Sequence, residues 1–308
     1  MPANVRLQTS YTITPEKYCF QLSIHSIMTK QLIKLFPPAS EQVDIKGLYL
    51  AHNIHLLGSC ESPFVYANFL SSLDGRIALE DAVEGSTFVP KHLTSASDFG
   101  LFMELHAQAD CLITHGGYLR ALSQGRLGNI LQIKDLELMA WRHDHGLKAQ
   151  PAVIIASASL DFPMHESLLN TSQPVYIATG KNADPERVDY WQQQGFTVLF
   201  TGAEQLVQGA ALVHELGKLG YRSIYLIAGP QMLDTMIQEH QLSRLYLTIT
   251  HQLLGGKDFR TLLTGSVLGQ EGNLSLEGLY LEQNPAPEAG QFFMQFSAKS
   301  ENETIDTN

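Results

Sequence analysis

The run Ile224-Tyr225-Leu226-Ile227-Ala228-Gly229-Pro230-Gln231-Met232-Leu233 constrains the fold more than any other stretch of this chain. Its apolar, β-branched half reads as a buried strand. The part after Ala-Gly-Pro reads as an amphipathic helix reaching His240. Pro230 suits a first helical position, where its missing N–H costs nothing. A strand that turns on a glycine into a helix leaves free backbone N–H groups, and the positive helix end, at the carboxyl edge of a sheet. Such an edge is an anion site, fit for a phosphate of a nucleotide cofactor.

The surrounding pattern agrees. Strands are expected at about 64–70, 111–114, 152–156, 175–179, 197–200, 223–228 and 244–250. Helices are expected at about 97–108, 117–122, 203–219 and 230–240. This alternation implies right-handed crossovers, hence an α/β fold with a mostly parallel central sheet flanked by helices. Segments 275–281 and 291–297 have no helix between them and read as an antiparallel C-terminal hairpin, with the proline-bearing 282–290 as its loop. Residues 1–29 are polar and aperiodic and read as an N-terminal extension. Residues 30–297 read as one domain, and 298–308 as a disordered tail.

Composition narrows the classes of function. A formal net charge of −11 over 308 residues argues against nucleic acid as a partner. An anionic ligand would need a local basic or dipolar pocket. No apolar run is long enough to span a membrane, and the first ten residues lack the pattern of a signal peptide, so a cytoplasmic location is expected. Cys19, Cys60 and Cys111 are far apart and suggest neither a disulfide framework nor a zinc site. His143-Asp144-His145 has no further ligand nearby, so no metal is expected.

Five stretches, in order, carry a resemblance. They are Leu35-Phe36-Pro37-Pro38 with Val43-Asp44 and Gly47-Leu48-Tyr49; Asn68 through Arg76, which contains Ser-Leu-Asp-Gly-Arg; Ala107 through Gly117; Leu226 through Pro230; and Thr248 through Gly256, with its Leu-Gly-Gly exit. Together they resemble the reductase domain of riboflavin biosynthesis, its stand-alone pyrimidine-reductase branch included, over roughly residues 30–297. The resemblance implies a dihydrofolate-reductase-like fold and a homodimer that binds NADPH at the carboxyl ends of the strands. It also implies hydride transfer to C1′ of a small-molecule ribosylamino-pyrimidine or related heterocycle. In such chemistry the protein positions two reactants and excludes water, so no nucleophile–base pair need stand out.

Carried over by matching, the cofactor contacts fall on Leu70, Thr114, Gly116, Gly117, Tyr118, Ser157, Gly229, Pro230, Gln231, Met232 and Leu233. Gly116-Gly117 reads equally as a plain helix-entry turn, and Ser157 equally as a cap. Substrate contacts fall on Ser86, His106 and Arg126, with Phe88 beside the cofactor. Asp74 reads as a turn residue and Arg76 as a surface residue. No catalytic residue is assigned; His106 and His115 are the imidazoles closest to the motifs.

The chain departs from the family on the substrate side. Ile227 stands where a substrate-binding glutamate is usual, and His106 where an arginine is usual. Residues 118–129 replace the usual substrate loop, and Arg120 and Arg126 could form a relocated anion clamp there. The deaminase often joined to this reductase needs His-x-Glu and Pro-Cys-x-x-Cys, and neither occurs. A non-catalytic nucleotide-binding or regulatory protein that keeps the fold is the alternative reading.

Overall fold

The computed structural model describes residues 30–38, 41–80, 87–169, 172–284 and 288–298. The extension 1–29, Ser86 and the tail from residue 299 lie outside the described residues.

In chain order the elements are β1 Gln31–Phe36, β2 Gln42–Asp44, β3 Phe64–Ser72, β4 Ala78–Glu80, β5 Thr87–Phe88, α1 Ala96–Ala107, β6 Cys111–His115, α2 Gly116–Ser123 and α3 Leu136–Asp144. There follow β7 Ala152–Ala156, β8 Val175–Thr179, α4 Pro185–Gln193, β9 Thr197–Phe200, α5 Gly209–Lys218, β10 Ser223–Leu226, α6 Pro230–Gln238, β11 Arg244–Thr250, β12 Phe259–Arg260, β13 Leu274–Glu282 and β14 Gln291–Ala298. Eleven strands form one sheet in the order β2-β1-β13-β14-β11-β3-β10-β6-β7-β8-β9. From β11 to β9 every neighbouring pair is parallel, and from β11 back to β2 every pair is antiparallel. A small second sheet, β12-β4-β5, stands apart.

Alternation along each strand divides the core. Tyr66, Leu112, Val153, Ile155, Tyr225 and Tyr246 face one cluster, closed by Leu101 and Leu105 of α1, Leu119 of α2 and Trp191 of α4. Val65, Ala67, Ile113, Ile154 and Leu226 face the other, closed by Leu212 and Leu216 of α5 and by Leu233 and Met236 of α6. The parallel strands are buried on both faces, which is why they read as unbroken apolar runs.

All seven expected parallel strands and the C-terminal hairpin are present. The helix expected from residue 203 begins at Gly209. The carbonyls of Gly202, Glu204 and Gln205 accept hydrogen bonds from Lys181, Asn182 and Gly180, which holds that segment open as a loop. Two helices outside the expected set, α3 and α4, are each capped by an aspartate, Asp135 and Asp184. The edge pair β1–β2 extends the sheet beyond the hairpin.

Candidate active site

Each parallel strand ends at the same edge of the sheet, and each following helix runs back toward the opposite edge. The starts of α2 and α6 therefore face each other across the carboxyl edge, next to the β7 turn. Between them lies a cleft of about 830 Å³, a size that suits a nucleotide cofactor.

The two helix starts share an uncommon feature. Ser95, Asp135 and Asp184 cap α1, α3 and α4 through their side chains, and the Glu239 carboxylate accepts from Ala210 N–H in the first turn of α5. Neither α2, entered through His115, nor α6, entered through Gly229, has a side-chain cap. Their first-turn N–H groups and positive dipole ends face the cleft. Among the described residues the walls carry Arg120, Arg126 and Arg260, the last paired with Glu80 Oε1 at 2.5 Å, but no aspartate or glutamate. In a protein of net charge −11, this concentrates positive potential in the cleft.

The lining includes Gly117, Tyr118, Ser157, Gly229, Pro230, Gln231, Met232 and Arg126 among the residues expected to bind, together with Phe88 and His115. Gly229 has extended backbone, φ −73° and ψ −175°. A Cβ built there meets nothing nearer than His115 Nε2 at 3.8 Å, so the position opens on the cleft. Gly117 has less room, since a Cβ would lie 2.8 Å from His115 Nδ1. Ser157 lines the cleft and also caps the next turn, its Oγ accepting from Leu160 N–H at 3.0 Å. The Tyr118 hydroxyl donates to the Gly128 carbonyl at 2.8 Å and accepts from Ile130 N–H at 3.0 Å. Tyr118 thereby pins the loop that carries Arg126, and its own burial pushes the phenol up to about 12. Arg126 is exposed and donates to Gln124 Oε1 at 2.8 Å. Arg120 donates to the Asp161 carbonyl.

Other expected contacts lie off the lining. Thr114, in β6, and Leu233, on the inner face of α6 within the core that covers the sheet, are both buried. Gly116 packs the start of α2 against the β7 turn: a Cβ there would come within 3.0 Å of the Phe162 ring and 3.2 Å of Ser157 Oγ. Leu70 is half-buried in β3, paired in register with Thr248.

His106 requires a correction as a substrate contact. It sits near the end of α1, five residues before β6 begins, and therefore at the edge of the sheet opposite the cleft. It is fully buried against Phe102, and burial, followed by the Arg142 charge, lowers its imidazole to about 3. His115 does reach the cleft, yet burial and Arg120 lower its pKa as well. Both shifts favour the neutral imidazole.

The Ser-Leu-Asp-Gly-Arg motif is structural. The Asp74 carboxylate accepts from Ser72 Oγ at 2.5 Å, from Leu254 and Gly255 N–H at 3.2 and 2.9 Å, and from Arg76 Nη1 at 2.6 Å. These bonds, led by that of Ser72, hold the carboxyl down to about 2. Arg76 is not the surface residue expected, because it is half-buried and stacks over the Phe259 ring at 4.2 Å. Asp74 thus ties the exit of β3 to the Leu-Gly-Gly exit of β11. Ile227, in the position usual for a glutamate, packs on the α1-side core. Among the described residues no cluster of three or more His, Cys, Asp or Glu could hold a metal ion, and no helix is long and apolar enough to cross a membrane.

Comparison with known proteins agrees with this architecture. The 2,5-diamino-6-ribosylamino-4(3H)-pyrimidinone 5′-phosphate reductase of Archaeoglobus fulgidus is 22% identical over 203 residues, covering 66% of this chain and 87% of its own. The protein of the same name from Methanothermobacter thermautotrophicus is 24% identical, covering 66% and 84%. A solved pyrimidine reductase-like protein from Corynebacterium diphtheriae superposes with a TM-score of 0.57 at 18% identity, covering 78% of this chain and 93% of that one. The riboflavin biosynthesis reductase of Saccharomyces cerevisiae gives 0.51 at 14% identity, covering 82% and 99%. Both have the same fold. The model of the RibD C-terminal domain matches residues 63–282, the span from β3 to the end of β13, and this chain belongs to that family.

Proposed function

We propose that this protein is an NADPH-dependent reductase of the riboflavin-biosynthesis type, which transfers hydride to C1′ of a ribosylamino-pyrimidine phosphate or a closely related heterocycle. The observation that carries this reading is the pair of uncapped helix starts on a cleft that, among the described residues, is lined by three arginines and no aspartate or glutamate. Two helix termini and separated guanidinium groups suit a ligand with several phosphates along its length. The residues present fit a dinucleotide: Gly229 leaves room for a close approach of phosphate to backbone, and Gly117, Ser157 and Gln231 line the same wall. Bound there, a reduced nicotinamide supplies a hydride.

What the chain contributes is position and exclusion of water. Phe88, Val89 and Met232 supply apolar wall. Arg120 and Arg126 remain for a further phosphate at the α2 end, which supports NADPH over NADH. Ile227, where the resembled family offers a carboxylate, packs on the α1-side core, so that hydrogen bond to the pyrimidine is not made here. Family membership supports a catalytic unit of residues 30–297, a homodimer and a cytoplasmic location.

The test is turnover. With NADPH and the phosphoribosylamino-pyrimidine in its deaminated and undeaminated forms, absorbance of the reduced nicotinamide should fall with at least one of them. Tight NADPH binding with no turnover on either would favour the alternative, a nucleotide-binding protein that keeps the fold without the reaction.

A further inference from the structure

One side chain of the cleft stands between its two glycine turns. His115 ends β6 and enters α2, and it lines the cleft together with Arg120, Ser157 and Gln231. Its ring spans the gap between the helix starts. A Cβ on Gly117 would lie 2.8 Å from Nδ1, and a Cβ on Gly229 would lie 3.8 Å from Nε2. One nitrogen is therefore close to the first turn of α2 and the other faces the turn that begins α6.

The fold gives that ring no bond. Nδ1 of His52 meets the Tyr246 hydroxyl, Nδ1 of His145 the Trp141 carbonyl, and Nδ1 of His165 the Ser167 hydroxyl. His115 holds the cap position of α2 without bonding its first turn, and among the described residues its imidazole has no hydrogen-bond partner. His106 is unpaired too, but it is sealed in the core. His115 instead opens on a cleft, where a ligand can supply the missing acceptor.

The fixed charge around the ring has one sign. The positive dipole ends of α2 and α6 meet there. Arg120 follows on α2, Arg126 on the loop after it, and Arg260 stands on β12, paired with Glu80. Of the other groups on these elements, the Tyr118 phenol stays protonated, and Ser157 and Gln231 carry no charge. In this surrounding burial, then the Arg120 charge, holds the ring neutral. A phosphate between the helix starts reverses that local field, and negative charge within about 4–6 Å favours the protonated ring.

On the proposed reading of the cleft, we infer that His115 is a proton-linked clamp on the cofactor's pyrophosphate. Nε2–H donates to a phosphate oxygen seated at the Gly229 turn, and the second ring nitrogen takes up one proton from solvent as the cofactor binds. The imidazolium then joins the two helix ends in facing the anion. Linkage sets the direction: a ligand that raises the proton affinity of His115 is itself bound more tightly as pH falls. Cofactor affinity is thereby graded by pH across the range in which imidazole titrates.

The experiment is calorimetric titration of wild type, His115→Asn and His115→Gln with NADPH, from pH 6 to 8.5, in buffers of different ionisation enthalpy. This reads Kd and the protons bound together. Both amides keep an N–H donor and cannot titrate, so a merely structural histidine would leave the pH profile unmoved. The cofactor's own monoester titrates near pH 6, and the reading is therefore the difference between wild type and variant. Relative to the variants, wild-type Kd should fall about three- to tenfold from pH 8 to pH 6, for an about tenfold gain in proton affinity on binding. Proton uptake should accompany wild-type binding and be absent from both variants. The proton NMR signal of the His115 ring, assigned by its loss in His115→Asn, should titrate at higher pH with NADPH than without it. This signal and the wild-type uptake decide the matter even if the variants bind too weakly to measure. Wild-type binding without proton uptake, the same uptake in both variants, or a ring signal that NADPH leaves unmoved would overturn the clamp and leave the reductase reading intact. A wild type that does not bind NADPH overturns that reading and the clamp with it.

Discussion

Gly229 and Gly217 form a matched pair whose alanine variants should fail in opposite ways. At Gly229 the backbone is extended and open to any residue, and an added Cβ touches only His115 Nε2, at 3.8 Å. The folded state has room for the methyl group. The narrower unfolded ensemble even favours the variant, by about 0.4–1 kcal/mol. On the ligand side, the methyl group stands between the uncapped start of α6 and any phosphate approaching it. Loss of one charge-assisted hydrogen bond costs about 1.5–3 kcal/mol, which is about 10- to 150-fold in Kd. At Gly217, in α5, the Cβ would lie 2.1 Å from the Cys60 carbonyl oxygen, and backbone must move. Overpacking of this kind costs about 1–3 kcal/mol, at about 2–4 °C per kcal/mol for a domain of this size. Thermal melts and NADPH fluorescence titrations on both variants decide the matter. Gly229→Ala should keep its Tm and lose binding, and Gly217→Ala should lose Tm and keep binding within about twofold. A Gly229→Ala protein that binds NADPH as wild type does would refute the placement of a phosphate on that turn.

Two further outcomes follow from buried charge. The Arg142 guanidinium is fully buried and donates to the carbonyls of Ala107, Ala109 and Lys148 at 2.8–2.9 Å, closing the end of α1. Arg142→Ala should therefore cost about 3–5 kcal/mol, read by urea unfolding, and Arg142→Lys should not restore it because a single ammonium cannot span the fork. His106 and His52 are lowered mainly by burial, to about 3 and about 4. Their folded pKa values lie below the unfolded one, so the stability they support is full above about pH 6.5 and is lost as pH falls toward those values. At pH 5 each should cost about 2 kcal/mol relative to pH 8, and His106→Phe should remove its share of that slope. Asp98 works in the opposite sense. Its raised carboxyl gives most stability below about pH 4, lost as pH rises through 6.

The sequence made the sheet legible because its parallel strands are covered on both faces, so short, continuous apolar runs such as Ala152-Val153-Ile154-Ile155-Ala156 read as buried strands. It hid α3 and α4, whose exposed faces dilute any apolar period: Leu136 is 79% exposed and Tyr190 is 52% exposed. Their aspartate caps, with Pro185 after Asp184, were the signal available. The glycine turns at Gly117 and Gly229 do line the cleft, since glycine and proline set the backbone locally. Residue roles on α1 were not legible in the same way. His106 stands near the end of α1, and only the direction in which that helix crosses the sheet puts it at the edge away from the cleft. Nor does Ser-Leu-Asp-Gly-Arg announce that its carboxylate binds the far loop at Leu254 and Gly255, a contact 180 residues away in sequence.

The proposed function requires the carboxyl edge to hold a phosphate-bearing reduced dinucleotide between the starts of α2 and α6. Titration of the wild-type protein with NADPH, followed by nicotinamide fluorescence and by Tm, tests it most directly. Saturable binding in the micromolar range is predicted, together with a Tm that rises as ligand exceeds Kd, by about 2.7 kcal/mol of stabilisation at 100 Kd. Absence of binding and of any Tm shift at millimolar NADPH would contradict it.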